Sequence, residues 1–153
     1  MAVEGVLREL EVPGRLQRLR HGATEVLLDV AHNPHAARAL AERLDDADGP
    51  QGLLFGAFAD KDVVGVVAPI VDRLGDRLEA VTLVDTPGSR GLPAAALAER
   101  LAPLHLPAVR TATSPVRGLD DALARVDGGR LLVCGSFTVV GAVLAVLGAE
   151  AAA

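Results

Sequence analysis

Four small groups of polar residues carry the chemistry this sequence can do. The first is Asp29, His32 and Asn33, in the run Thr24-Glu-Val-Leu-Leu-Asp-Val-Ala-His-Asn-Pro34. A carboxylate at this place can hold a ribose, and the imidazole and carboxamide can meet the edge or ring of an adenine. The plain structural reading is a capped helix start whose Asp is satisfied by backbone donors, and the residues alone leave both open. The second group is Asp60-Lys61-Asp62, which either presents an ammonium to a substrate carboxylate or is a solvated charged turn. The third is Gly135-Ser136, whose hydroxyl and N–H groups can bind a carboxylate, although a serine there is more often a simple N-cap. The fourth is Arg15, which follows Pro13-Gly14 and can reach a phosphate. Two of these residues are singletons: Lys61 is the only lysine in an arginine-rich chain, and Asn33 is the only asparagine.

Other chemistries fit less well. Asp29, His32 and His35 have a spacing that suggests a metal site. Pro34, however, biases Asn33 away from helix, so His32 and His35 do not share a helical face. A Ser136–His hydrolase lacks the Gly-x-Ser-x-Gly elbow. No Gly-x-x-x-x-Gly-Lys-[Ser/Thr] loop exists, because the one lysine is flanked by Asp60 and Asp62, and no Gly-x-Gly-x-x-Gly follows a strand. A nucleotide site in this chain would therefore be a partial one.

The elements that position these groups can be read in turn. Val26 to Val30 is an apolar run broken only by Asp29, as expected of a strand covered on both faces. Pro34 suits the first helical position and Asn33 the N-cap, and Leu40 and Leu44, with Ala36, Ala37 and Ala41, form the apolar stripe. Asp29, His32 and Asn33 thus fall between the carboxyl end of a strand and the amino end of a helix. Open α/β sheets bind ligands there, and the helix dipole favours an anion. Upstream, Leu16 to His21 alternates and His21-Gly22-Ala23 turns, which predicts a hairpin.

Further strands are expected at Gly52 to Gly56, Leu78 to Val84, Pro107 to Thr111 (near an edge) and Leu131 to Gly135. Helices are expected from Asp60 or Asp62 to about Leu74, with Val63, Val66, Val67, Ile70 and Leu74 inward, and at Pro93 to Leu101, Gly118 to Val126 and Ser136 to Leu147. The loop Asp85-Thr-Pro-Gly-Ser-Arg-Gly91 precedes the Pro93 helix, and residues 1–11 resemble an amphipathic lead-in. Alternating strands and helices predict an α/β fold of three layers, with a mostly parallel sheet of about six strands and five helices.

Composition bounds the rest. A chain of 153 residues suits one domain, and a net charge of −5 argues against a general nucleic-acid surface. No apolar run approaches the roughly 20 residues of a membrane span, and no signal-peptide core is recognisable. Cys134 stands alone, so no internal disulfide can form, and a reducing cytoplasm is the expected location.

Leu28-Asp-Val-Ala-His-Asn-Pro34 resembles the Asp-x-Ala-His-Asn-Pro signature of the Mur-ligase superfamily, specifically folylpolyglutamate synthase and the bifunctional dihydrofolate synthase. Pro13-Gly-Arg15, Asp60-Lys-Asp62 and Gly135-Ser-Phe137 follow in the family's order, so the resemblance covers about residues 12–148. It implies a C-terminal Rossmann-like domain over residues 12–150 with a six-stranded mixed sheet, the central ATPase domain being absent. It also implies that ATP makes an acyl phosphate on a folate or dihydropteroate carboxylate, which the amine of glutamate attacks. By the same resemblance Arg15 contacts phosphate, Asp29 the ribose, and His32 and Asn33 lie near the nucleotide. Lys61 and Ser136 hold glutamate, and Arg90, which matches a family arginine, binds it with them. The ligands for Mg2+ are expected mainly in the missing domain, no catalytic residue is assigned here, and the chain alone is expected to be inactive. The alternative of a different class is a stand-alone nucleotide-binding or interaction module without catalysis.

Overall fold

The computed structural model describes residues 15–152; the lead-in over residues 1–11 and Pro13-Gly14 lie outside them. Strand β1 (Gln17–His21) turns through Gly22-Ala23 into β2 (Thr24–Asp29), and the two pair antiparallel. Then follow α1 (Pro34–Arg43), β3 (Gln51–Phe55), α2 (Val63–Leu74), β4 (Leu78–Val84), α3 (Ala94–Leu101), β5 (Val109–Ala112), α4 (Pro115–Arg125), β6 (Arg130–Cys134) and α5 (Phe137–Ala152). The sheet order is β1-β2-β6-β3-β4-β5, and every neighbouring pair after the hairpin is parallel. This is the expected α/β architecture, a mostly parallel six-stranded mixed sheet.

Strand alternation divides the core into two halves. Leu27, Leu53, Phe55, Val81, Leu83 and Leu132 face α1, α2 and α3. Val26, Leu28, Leu54, Val84, Leu131 and Val133 face α4 and α5. The five apolar residues expected to line α2, from Val63 to Leu74, are the buried ones; each contributes about 1.5–3 kcal/mol by burial.

Boundaries differ where the chain's local signals compete. The β3 strand begins at Gln51 rather than Gly52, because Gln51 pairs with both Leu78 and Arg130. The α4 helix begins three residues before Gly118: Pro115 takes its first position and Ser114 Oγ caps Arg117 N at 3.2 Å. Edge strand β5 starts at Val109 because Ala108 takes a left-handed φ of 45°. The last helix runs on to Ala152, past the expected Leu147.

Parallel pairing sets four strand ends side by side. Asp29 pairs with Cys134, Cys134 with Phe55, and Phe55 with Leu83. The chain therefore leaves β2, β6, β3 and β4 along one carboxyl edge, and the polar turns all leave from it.

Candidate functional site

The turn after β2 is built around Asp29. Its Oδ1 accepts from Ala31 N at 2.8 Å and its Oδ2 from Leu16 N at 3.0 Å. Leu16 holds a left-handed φ of 47°, a conformation that costs a non-glycine residue energy, and the Asp29 bond fixes it. Asp29 thereby sets the direction in which Arg15 enters the site. Burial pushes the Asp29 carboxyl above its ordinary pKa, outweighing the two N–H donors and the Arg43 and Arg15 charges that pull it down. An ionised carboxylate has about four acceptor positions, so the two backbone bonds leave capacity for ligand hydroxyls. The structural and ligand-binding readings of Asp29 are thus compatible.

His32 and Asn33 complete the turn. His32 Nδ1 lies 3.0 Å from Val30 O, which makes Nδ1–H the donor and leaves Nε2 as acceptor in the neutral ring. Asn33 Oδ1 accepts from Ala36 N at 2.8 Å, the expected N-cap of α1. The exposed ring of Phe137 stands 6.1 Å from that of His32, tilted by 43°. An open cleft of about 240 Å³ is lined by Arg15, Asp29, His32, Arg43 and Phe137 with the apolar flank of α1. Two guanidinium groups against one carboxylate make it locally positive in a chain of net charge −5. Such a cleft can take a phosphate on the arginines, hydroxyls on Asp29 and a flat ring against the aromatic pair.

The second turn abuts the first. Asp62, not Asp60, caps α2, accepting from Gly65 N at 3.0 Å. A Cβ on Gly65 would come within 2.8 Å of Pro34 Cγ, so the amino ends of α1 and α2 touch. Lys61 sits just before that helix, its N donating to Phe58 O at 3.2 Å. The third turn meets the same place from β6. Gly135 has φ 117°, and a Cβ there would collide with Gly56 O and lie 2.9 Å from Phe55 Cε1. Glycine is required on both counts. Ser136, 1% exposed, caps α5 by accepting from Val139 N at 3.2 Å.

Arg90 belongs to the loop after β4, which zips onto the turn after β3. Ala59 N donates to Arg90 O at 2.9 Å and Leu92 N to Ala57 O at 3.0 Å. The Arg90 guanidinium pairs with Asp60 at 3.4 Å and stacks over Phe58, 5.5 Å from the ring centroid. In the same loop Asp85 Oδ1 accepts from Ala94 N at 2.6 Å and caps α3, since Pro93 has no side-chain acceptor.

All seven residues singled out from the sequence therefore lie along one edge, in turns that touch one another. Sequence reasoning missed Arg43, which reaches the cleft only because it lies on the last turn of α1, on the face beside Arg15. It also gave Phe137 no separate role, although Phe137 is an exposed aromatic in the Gly135-Ser-Phe137 run. Thr86 is a third addition: its Oγ is buried beside Gly56 with no hydrogen-bond partner among the described residues.

Residues 14–137 match the family model for the Mur ligase, glutamate ligase domain. The dihydrofolate synthase/folylpolyglutamate synthase of Escherichia coli (strain K12) is 33% identical over 142 residues, covering 91% of this chain and 31% of that protein. A crystal structure of bifunctional folylpolyglutamate synthase/dihydrofolate synthase from Yersinia pestis CO92 superposes with a TM-score of 0.78 at 32% identity, covering 96% of this chain and 34% of that one. Another bifunctional folylpolyglutamate synthase/dihydrofolate synthase, solved with Mn, AMPPNP and L-glutamate bound, superposes with a TM-score of 0.76 at 32% identity, covering 90% and 32%. The chain thus spans about a third of the length of these relatives. With the family model matched over residues 14–137 and the sheet superposing on solved relatives at 32% identity, the chain belongs to the Mur ligase glutamate ligase domain family.

Proposed function

We propose that this domain serves an ATP-dependent ligase that joins glutamate to a folate or dihydropteroate carboxylate through an acyl phosphate. The observation that carries this reading is the meeting of the polar turns at one sheet edge beside a positive cleft. Arg15, with Arg43, takes phosphate oxygens; Asp29 takes ribose hydroxyls; His32 and Asn33 lie beside the nucleotide. Lys61, Ser136 and the Arg90 loop serve the incoming glutamate, Ser136 through the α5 turn it caps, where free backbone N–H groups favour a carboxylate. Holding the amine against the activated carboxylate is the domain's contribution to rate, since orientation removes much of the entropic barrier.

Magnesium bound with ATP would neutralise phosphate charge. Among the described residues no three His, Cys, Asp or Glu side chains gather to hold a metal, so its ligands are assigned to the ATP-binding portion that the longer relatives have room for. Residues 12–150 act in this reading as one C-terminal domain, in a cytoplasmic enzyme. No described helix is long and apolar enough to cross a membrane. Family membership weighs against a stand-alone binding module without catalysis.

The test is an assay of ADP release with ATP, Mg2+, glutamate and either dihydropteroate or a reduced folate. The 153-residue chain is expected to give none, and the product of the complete reading frame to give ADP and a glutamylated product together. ADP release by the purified 153-residue chain, or a complete product that hydrolyses ATP without consuming glutamate, overturns the proposal.

A further inference from the structure

Residues 58–61 form a β-turn closed by the bond from Lys61 N to Phe58 O, so Phe58 is its first residue and Lys61 its last. The loop after β4 and helix α3 hold this turn from outside. Arg90 O accepts from Ala59 N, and Arg100 Nη1 donates to Ala59 O at 2.8 Å. The Arg90 side chain adds two further contacts, lying over the Phe58 ring and donating from Nη2 to Asp60 Oδ2 at 3.4 Å. One guanidinium thus grips the first and third residues of the turn whose fourth residue is Lys61.

Each of these side-chain contacts is weak when taken alone, because Arg90 and Asp60 are exposed and water competes for both. They act together, however, on four residues whose backbone is already pinned at Ala59. Lysine needs this help more than most side chains. Its ammonium is a point charge on a flexible stem, so its reach is only as well defined as the backbone that carries it. An arginine whose plane is spent on a ring and a carboxylate has little left for a substrate.

We propose that Arg90 is a positioning residue: it latches the 58–61 turn and acts on the bound amino acid only through Lys61. The inference rests on the reading of Lys61 as a glutamate-binding residue, and it replaces a direct contact from Arg90.

The experiment titrates glutamate and ATP separately against the complete ligase carrying Arg90→Ala, Arg90→Lys, Asp60→Asn, the Arg90→Ala/Asp60→Asn pair, or Lys61→Ala. Arg90→Ala is expected to raise the glutamate KM about three- to tenfold, the scale of one exposed ion pair plus one cation–π contact, with the ATP KM unchanged. Asp60→Asn shifts the glutamate KM in the same direction. The double variant is no worse than the worse single, because both remove one latch. Arg90→Lys, which keeps the charge and loses the planar stack, falls between Arg90→Ala and the parent. In the 153-residue chain, Arg90→Ala also speeds amide hydrogen exchange at Ala59 and Lys61 but not at Leu53 in β3.

Additive losses in the double variant, or a lower glutamate KM in Asp60→Asn, would mean that Arg90 meets the substrate directly, and would overturn the latch. Unchanged exchange at Ala59 and Lys61 overturns it too. A raised glutamate KM in Lys61→Ala with none in Arg90→Ala removes the latch and leaves the Lys61 reading standing. An unchanged glutamate KM in Lys61→Ala overturns the reading beneath it.

Discussion

Replacing Asp29 with alanine tests how the cleft is built. The carboxylate accepts from Ala31 N at 2.8 Å and from Leu16 N at 3.0 Å, the second bond holding Leu16 at φ 47°. Hydrogen bonds to a charged group contribute about 1.5–3 kcal/mol each. The lower end applies, because Asp29 is only partly buried and lines an open cleft where water can replace it. Two bonds then give about 3 kcal/mol. Burial also penalises the ionised carboxylate, as its raised pKa records, and the variant escapes that cost. Since burial outweighs those donors for the ionised form, it cancels most of that gain. The expected net loss at neutral pH is about 1 kcal/mol from the two stranded N–H groups, or about 2–4 °C in Tm for a domain of this size.

The pH dependence carries a second sign. A carboxyl whose folded pKa lies above its ordinary 3.8 binds its proton more tightly folded than unfolded. Its contribution to stability therefore rises as pH falls from neutral through the folded pKa, and levels off below 3.8. Asp29→Ala lacks this gain, so the gap between parent and variant should widen on acidification. Other carboxylates titrate alike in both proteins and cancel. The chain has no Trp or Tyr, so urea unfolding followed by far-ultraviolet circular dichroism between pH 7 and about 4 is the suitable assay. A loss under about 0.5 kcal/mol at pH 7 would mean that Asp29 does not organise the turn. A gap that narrows with acid would mean that the N–H donors outweigh burial.

Two further sets of variants separate local from long-range support. Asn33→Ala removes an exposed cap and should cost about 1 kcal/mol, whereas Ser136→Ala strands a buried N–H at Val139 and should cost about 2 kcal/mol. The reverse order in thermal or urea unfolding would contradict the burial argument. Arg130, 3% exposed, donates from Nε to Gln51 Oε1 at 2.7 Å and from Nη2 to Asp45 O at 3.0 Å. Arg130→Met keeps the apolar stem and leaves those acceptors unpaired, for a loss of about 2–3 kcal/mol; a urea midpoint equal to the parent's would refute it.

Nearest-neighbour chemistry was legible in the chain. The Asn33-Pro34 start of α1, the inward face of α2 and the alternating hairpin depend on caps and periodicity that act within a few residues, and each stands where the residues predict. The placing of the polar turns at strand ends was legible for the same reason. So was the family, because its motifs are short runs in a fixed order. The Ser114-Pro115 start of α4 was equally local, and its cap signal lay unread beside the apolar spacing.

What the tertiary structure alone decided are the partnerships between distant segments. Insertion of β6 between β2 and β3 turns three strand ends into one site, and no local preference encodes strand order. The same insertion buries Arg130 against Gln51 and Asp45, although an arginine opening a strand reads as a surface residue. Asp85 caps a helix nine residues on, and Arg90 finds Phe58 and Asp60 thirty residues back. Arg43 becomes a cleft residue only when α1 packs beside the entry of Arg15. In each case the side chain's role depends on which backbone passes a few ångströms away. The sequence by itself determined which turns are polar and that they stand between strand ends and helix starts, and packing of the sheet decided which of them meet.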